Sequence, residues 1–215
     1  MKLLLTSAGL INGSIKQAFF DLLEKDVAEC TVAFIPTAAN KELNLEYLNQ
    51  DIKNLKETGL KKVVVTDIEK IPKDEWLPIF QEADAILFGG GVTYHLLDQV
   101  RKSGLQTELK ELLKSRLYIG ISAGSIIPAP DLKIANLFKE EAEYKLDDVT
   151  GLGLVDFSVL PHFGSQDFQE PTPDQIAQFA KTVDYPIYAI DDQSAIQVVD
   201  GQIKIISEGK WKKYG

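Results

Sequence analysis

Gly120-Ile121-Ser122-Ala123-Gly124 places a serine between two glycines, directly after a short apolar run. Gly-x-Ser-x-Gly is the pattern of a tight strand-to-helix turn that lifts a nucleophilic hydroxyl above a sheet. Glycine on both sides suits such a turn, because side chains there collide with neighbouring backbone. Such a hydroxyl needs a base, and the base needs a group to orient it. His162, in Pro161-His162-Phe163, follows a predicted strand as Ser122 does, so the two are expected at one sheet edge. Asp191 and Asp192 follow Tyr188-Ala189-Ile190, and either is a candidate third member. Phe88-Gly89-Gly90-Gly91 adds a glycine run whose backbone N–H groups can approach a ligand closely, making Gly90 or Gly91 a candidate oxyanion donor. A phosphate cradle is the competing reading of that run. No Gly-Lys-Ser/Thr follows it, and the dinucleotide spacing fails at Tyr94. His95 reads as a helix-face residue.

These residues need a scaffold that brings strand ends together. Residues 2–6, 31–35, 62–66, 85–88 and 117–120 are short, apolar or β-branched, and end in turn residues. Amphipathic stretches at 14–25, 43–58 and 105–114 separate them; Leu105, Leu109 and Leu112 fall on one helical face. Alternation of this kind predicts an α/β fold, a mostly parallel sheet with helices on both sides and its site beyond the strand C-termini. Beyond residue 125 the rhythm changes. Pro128-Ala129-Pro130 breaks any long helix, and residues 131–150 are polar and irregular, read as a loop or a lid. A strand is expected at 155–160, a helix at 173–182 and a strand at 187–190. A β-hairpin over 194–206, turned at Asp200-Gly201, follows. No linker or repeat interrupts the chain, and residues 1–215 read as one domain.

Composition narrows the function classes. A net charge of −9 argues against nucleic-acid partners, whose affinity comes mostly from phosphate contacts. The basic cluster Lys210-Trp211-Lys212-Lys213 reads as a solvated final strand or tail. Cys30 is the single cysteine, so no internal disulfide forms, and a cytoplasmic location is expected. Two histidines supply a metal site poorly. The apolar start at residues 3–5 is too short for a secretion signal, and no run approaches a membrane span.

Taken in order, four blocks resemble the aspartyl dipeptidase (peptidase E) family, to which cyanophycinases are related. They are Leu87-Phe88-Gly89-Gly90-Gly91-Val92-Thr93, Gly120-Ile121-Ser122-Ala123-Gly124-Ser125, Leu160-Pro161-His162-Phe163 and Ala189-Ile190-Asp191-Asp192. Ile35-Pro36-Thr37-Ala38 is similar as well. The resemblance implies an α/β sandwich akin to class I glutamine amidotransferases, without metal or organic cofactor. It implies a serine peptidase acting on small peptides, with N-terminal aspartate favoured by the founding enzymes. Carried over residue by residue, Ser122 is the nucleophile, His162 the general base and Asp192 the acid. Gly90 and the Ala123 N–H become the oxyanion donors.

Three departures stand out. The family's acid is commonly Glu, and Asp192 is one methylene shorter, so its backbone must stand closer to the imidazole. Val92 stands where the family usually carries Asn. The arginine the dipeptidases place after the histidine block is missing from Phe168-Gln169-Glu170-Pro171-Thr172-Pro173-Asp174-Gln175. Arg101 and Arg116 are the only arginines, both before the Ser122 turn, and Lys133 or Lys139 is a substitute cation. The expectation is a cytoplasmic dipeptidase or short-peptide hydrolase, monomeric or homodimeric. A weakly active homologue that binds a peptide or amino acid is the alternative, as is a hydrolase of another amide or isopeptide.

Overall fold

The computed structural model describes residues 1–165 and 171–215. The first half runs β1 (Lys2–Thr6), α1 (Gly13–Leu23), β2 (Thr31–Ile35), α2 (Glu46–Lys56), β3 (Lys62–Val65), α3 (Lys73–Glu82), β4 (Ala85–Phe88), α4 (Thr93–Lys102) and α5 (Leu105–Leu112). The second half runs β5 (Leu117–Ile121), α6 (Ala123–Ile126), β6 (Ser158–Leu160), α7 (Pro173–Ala180), β7 (Ile187–Ile190), β8 (Ser194–Val199), β9 (Gln202–Ser207) and β10 (Trp211–Tyr214). Seven strands form a mixed sheet in the order β3-β2-β4-β5-β1-β8-β9. The first five in that order are mutually parallel, and the β8–β9 hairpin closes one edge antiparallel. A second sheet, β10-β7-β6, pairs β6 with β7 in parallel and β10 with β7 antiparallel.

The strand sequences explain this order. Ala-Ile-Leu-Phe of β4 and Leu-Tyr-Ile-Gly-Ile of β5 are buried at every position, as central parallel strands covered on both faces must be. Alternation then divides the side chains between two cores: Leu4, Phe34, Leu87 and Ile119 on one face, Leu3, Leu5, Phe88 and Tyr118 on the other. The first core takes Ile15, Ala18, Phe19 and Leu22 of α1, a stripe at helical spacing. That helix starts at Asn12, whose side chain accepts the Ile15 N–H at 2.9 Å. The second core continues into the small sheet through Val159, Leu160, Ile187 and Ile190.

Several elements depart from expectation. Helix α3 lies outside the amphipathic stretches read from the sequence, and Pro78 inside it removes one helical hydrogen bond. Buried Trp76 and Phe80, with ring centroids 5.2 Å apart, hold it nonetheless. Strand pairing in the 155–160 run begins only at Ser158. Of the two readings of the terminal lysine cluster, strand or tail, the strand forms at Trp211–Tyr214, paired with β7. Residues 131–150 form two short 3-10 turns docked on the body. Arg101 donates to the Asp148 and Thr150 carbonyls at 2.7 and 2.6 Å, and Tyr185 donates to Asp131 at 2.6 Å.

Candidate active site

β5 delivers Ser122 to the C-terminal edge of the large sheet, where α6 begins at once. The Ser122 backbone sits at φ 49°, ψ −110°, a conformation that non-glycine residues rarely adopt. Surrounding bonds hold it there. Its N–H meets the carbonyls of Thr6 and Ser7 at 3.1 Å each, and its carbonyl accepts the Ser125 N–H at 2.8 Å. The flanking glycines are there for space: a Cβ on Gly120 runs into the Gly124 carbonyl, and one on Gly124 into the Phe88 carbonyl. Tyr118, buried beneath, donates to that same Gly124 carbonyl at 2.6 Å.

His162 reaches Ser122 from the other sheet. It follows β6 rather than a strand of the large sheet, which corrects the expectation of one shared edge. Its backbone also has a positive φ, 61°. Ser122 Oγ lies 3.0 Å from His162 Nε2, and His162 Nδ1 lies 2.7 Å from Asp192 Oδ1. The shorter acid therefore reaches the imidazole. Asp192 sits where the chain crosses from β7 of the small sheet to β8 of the large one. Burial pushes its carboxyl pKa up, but hydrogen bonds from His162 and Ser7 and the charge of His162 outweigh that and hold it below its ordinary value. Asp191 faces elsewhere: its Oδ1 accepts Ser194 Oγ–H at 2.6 Å and Gln193 N–H at 3.1 Å, bracing the crossing turn.

Sequence reasoning missed Ser7. Fully buried at the end of β1, it donates to Asp192 Oδ1 at 2.7 Å and accepts the His162 N–H at 2.7 Å. It thus ties the acid and the histidine backbone to the large sheet. Only its place, at the end of the strand beside β5, could have signalled it.

Gly90 packs against the nucleophile's Cβ, within 3.4 Å of where its own Cβ would stand, and Gly91 follows at φ 129°. Both line a cavity of about 550 Å³ together with Ser7, Ser122, His162 and Asp192. Ala123 is the first residue of α6, so its N–H has no acceptor within the helix. Val92 is buried, its N–H on the Ala38 carbonyl at 3.0 Å. His95 is outside the cavity, its Nε2 2.9 Å from Glu69.

The candidate cations are elsewhere too. Arg116 donates to the Phe80 and Gln81 carbonyls, Arg101 is engaged with the 148–150 segment, and Lys133 pairs with Asp131 at 2.9 Å. Neither these nor Lys139 lines the cavity. Of the segment 168–175, residues 168–170 lie outside the described residues. Among the described residues no group of three or more His, Cys, Asp or Glu is placed to hold a metal ion, and no helix is long and apolar enough to cross a membrane.

Fold and cavity together define a class: an α/β protein in which a serine, a histidine and an aspartate stand in line in a cavity sized for a small ligand. The profile of Peptidase family S51 matches residues 3–206, and the chain belongs to that family. The uncharacterized peptidase Lin0382 of Listeria innocua is 31% identical over 186 residues, 86% of this chain and 88% of the relative. Peptidase E of Streptomyces coelicolor is 30% identical over 123 residues, 54% of this chain and 49% of the relative. A crystal structure from Listeria monocytogenes EGD-e, assigned provisionally to peptidase E, superposes with a TM-score of 0.79 at 29% identity. It covers 97% of this chain and 98% of its own. A peptidase from an acI-B1 actinobacterium shares the fold, with a TM-score of 0.69 at 20% identity over 99% and 93% of the two chains.

Proposed function

We propose that the protein is a cytoplasmic serine peptidase that hydrolyses dipeptides or short peptides through an acyl-enzyme. The observation that carries this reading is the continuous line from Ser122 Oγ to His162 Nε2 and from His162 Nδ1 to Asp192, at 3.0 and 2.7 Å. Ser122 Oγ attacks the scissile carbonyl carbon while its proton passes to His162 Nε2. Asp192, held ionised, fixes the tautomer with the proton on Nδ1 and stabilises the imidazolium that forms. The N–H groups of Gly90 and Ala123 receive the oxyanion. His162 then gives its proton to the leaving amine as the C–N bond breaks. Water, deprotonated by the same nitrogen, attacks the ester and regenerates Ser122. Membership in a peptidase family supports amide hydrolysis as the reaction, and the cavity volume fits a short peptide better than a folded protein.

The test pairs Ser122→Ala with a serine-directed phosphonate. The wild-type chain should take up one equivalent of phosphonate at Ser122 and cleave short peptides; the variant should do neither. Peptide cleavage surviving in purified Ser122→Ala overturns the mechanism. Peptide binding by a wild-type chain that neither cleaves nor labels favours a ligand-binding homologue instead.

A further inference from the structure

One wall of the cavity that holds the catalytic line is built by α2. Tyr47, Gln50, Asp51 and Asn54, at helical spacing, all turn one face into it. Glu42, just before that helix, and Glu141, from the 131–150 segment, add two more carboxyl groups to the lining. Among the described lining residues there is no lysine or arginine, and His162 is the sole group able to carry positive charge. This is the reverse of a receptor for an aspartate side chain.

Asp51 is the informative member. It is only 8% exposed, lines the cavity, and none of the described residues forms an ion pair or hydrogen bond with its carboxyl. A buried carboxylate left in this way costs several kcal/mol in general and is rare outside functional sites. Glu141, by contrast, is satisfied, since it accepts the Thr93 N–H at 2.6 Å at the start of α4. The Tyr47 hydroxyl is a second orphan, buried with no hydrogen-bond partner, and its ring edge lies beside Gly90. Burial, then the neighbouring Glu42 and Asp51 carboxyls, push the Tyr47 phenol well above its ordinary range. The unpaired Asp51 carboxyl and the Tyr47 ring therefore stand four residues apart on one helix face, in an acidic wall, within the cavity that holds Ser122. A cationic donor fits this wall by satisfying Asp51. An ammonium or guanidinium donates to Asp51, and the Tyr47 ring offers it an aromatic face.

Resting on the peptidase reading above, we propose that this cavity selects peptides that carry a cationic group next to the scissile amide, with Asp51 as its receptor. The cation has two possible sources, the free α-ammonium of the substrate or a basic side chain of its first residue. Burial alone raises the Asp51 pKa to about 7, and a bound cation relieves that cost.

The experiment compares kcat/KM for Lys-Leu, Ala-Leu and Asp-Leu dipeptides and for N-acetyl-Lys and N-acetyl-Ala analogues, in the wild-type chain and in Asp51→Asn and Glu42→Gln. Lys-Leu should be cleaved at least tenfold better than Asp-Leu. Asp51→Asn should lower kcat/KM about 10- to 100-fold on cationic substrates, the range of a charge-assisted hydrogen bond, and, where N-acetyl-Ala is cleaved, change its rate by less than about threefold. Cleavage of N-acetyl-Lys over N-acetyl-Ala assigns the cation to the side chain; loss of both acetylated substrates with Ala-Leu retained assigns it to the α-ammonium. Preference for Asp-Leu, or equal losses on charged and neutral substrates in Asp51→Asn, overturns the proposal. Phosphonate labelling of Ser122, scored in every variant, separates that outcome from failure of the peptidase reading, which abolishes labelling as well as cleavage.

Discussion

Ser7 gives the site a fourth member whose part differs from the other three. Its carbonyl accepts the Ser122 N–H, and its side chain fastens Asp192 and the His162 backbone to the end of β1. Ser7→Ala leaves the buried His162 N–H without an acceptor, a loss of roughly 1–3 kcal/mol of stability. Its imidazole should lose alignment rather than disappear, so kcat falls about tenfold with KM nearly unchanged, measured on one peptide substrate. Asp192→Asn should fall much further, about a thousandfold or more, because the amide stabilises the wrong tautomer. A Ser7→Ala enzyme with wild-type kcat places the alignment in other contacts. Sequence pattern reached Ser122, His162 and Asp192 because each sits in a run of unusual residues at a strand end. Ser7 sits in Leu-Leu-Thr-Ser-Ala, where a buried serine has no pattern to mark it. Pattern alone left Asp191 and Asp192 open, since adjacent residues differ only in which way the turn points them; the family resemblance assigned Asp192, the residue that lies within reach of the imidazole.

The turn around Ser122 depends on neighbours as much as on its own sequence. Phe88 of β4 passes so close to α6 that Gly124 leaves no room for a methyl group. Gly124→Ala should therefore cost about 3 kcal/mol or more, by analogy with overpacking and backbone strain elsewhere. Thermal melting checks this, and a Tm within two degrees of wild type counts against the close approach as the reason for glycine. Strand positions were readable because apolar β-branched runs between turn residues have few other uses. β1, β2, β4, β7 and β8 fall on the expected residues. α3 escaped because Pro78 masks a helix whose stability comes from Trp76 and Phe80 packing. The second sheet escaped for another reason. Sheet membership is set by which edges pair, and the three residues of β6 carry no local sign of that choice.

Across the whole molecule, two carboxyls with opposite shifts shape stability against pH. Asp192 has a lowered folded pKa, so its stabilisation is present above its unfolded value and fades as pH falls through the folded one. Asp51 works in the other direction. Its folded pKa of about 7 lies above its unfolded value near 3.8, so the folded chain binds the extra proton between them. Stability from this group is full below about pH 4 and declines as pH rises towards 7, by at most roughly 4 kcal/mol. Asp51→Asn should accordingly be the more stable protein at pH 8, and its urea midpoint should vary less between pH 5 and 8. Equal midpoints for the two proteins at pH 8 argue against a buried, unpartnered Asp51. A site of this kind would give up stability for binding, as ligand pockets commonly require.

The crossing at Asp191–Gln193 has a further consequence. Ser122 belongs to the seven-stranded sheet and His162 to the three-stranded one, with Asp192 at the seam between them. On the proposed mechanism, turnover should work as a proximity gauge that reports how squarely the two sheets are seated while both remain folded. In a urea series, hydrolysis should vanish at lower concentration than the far-ultraviolet dichroism, because a 1 Å slip at the seam disarms the imidazole while every strand stays paired. Coincident loss of both signals fits instead a seam that opens only with the fold.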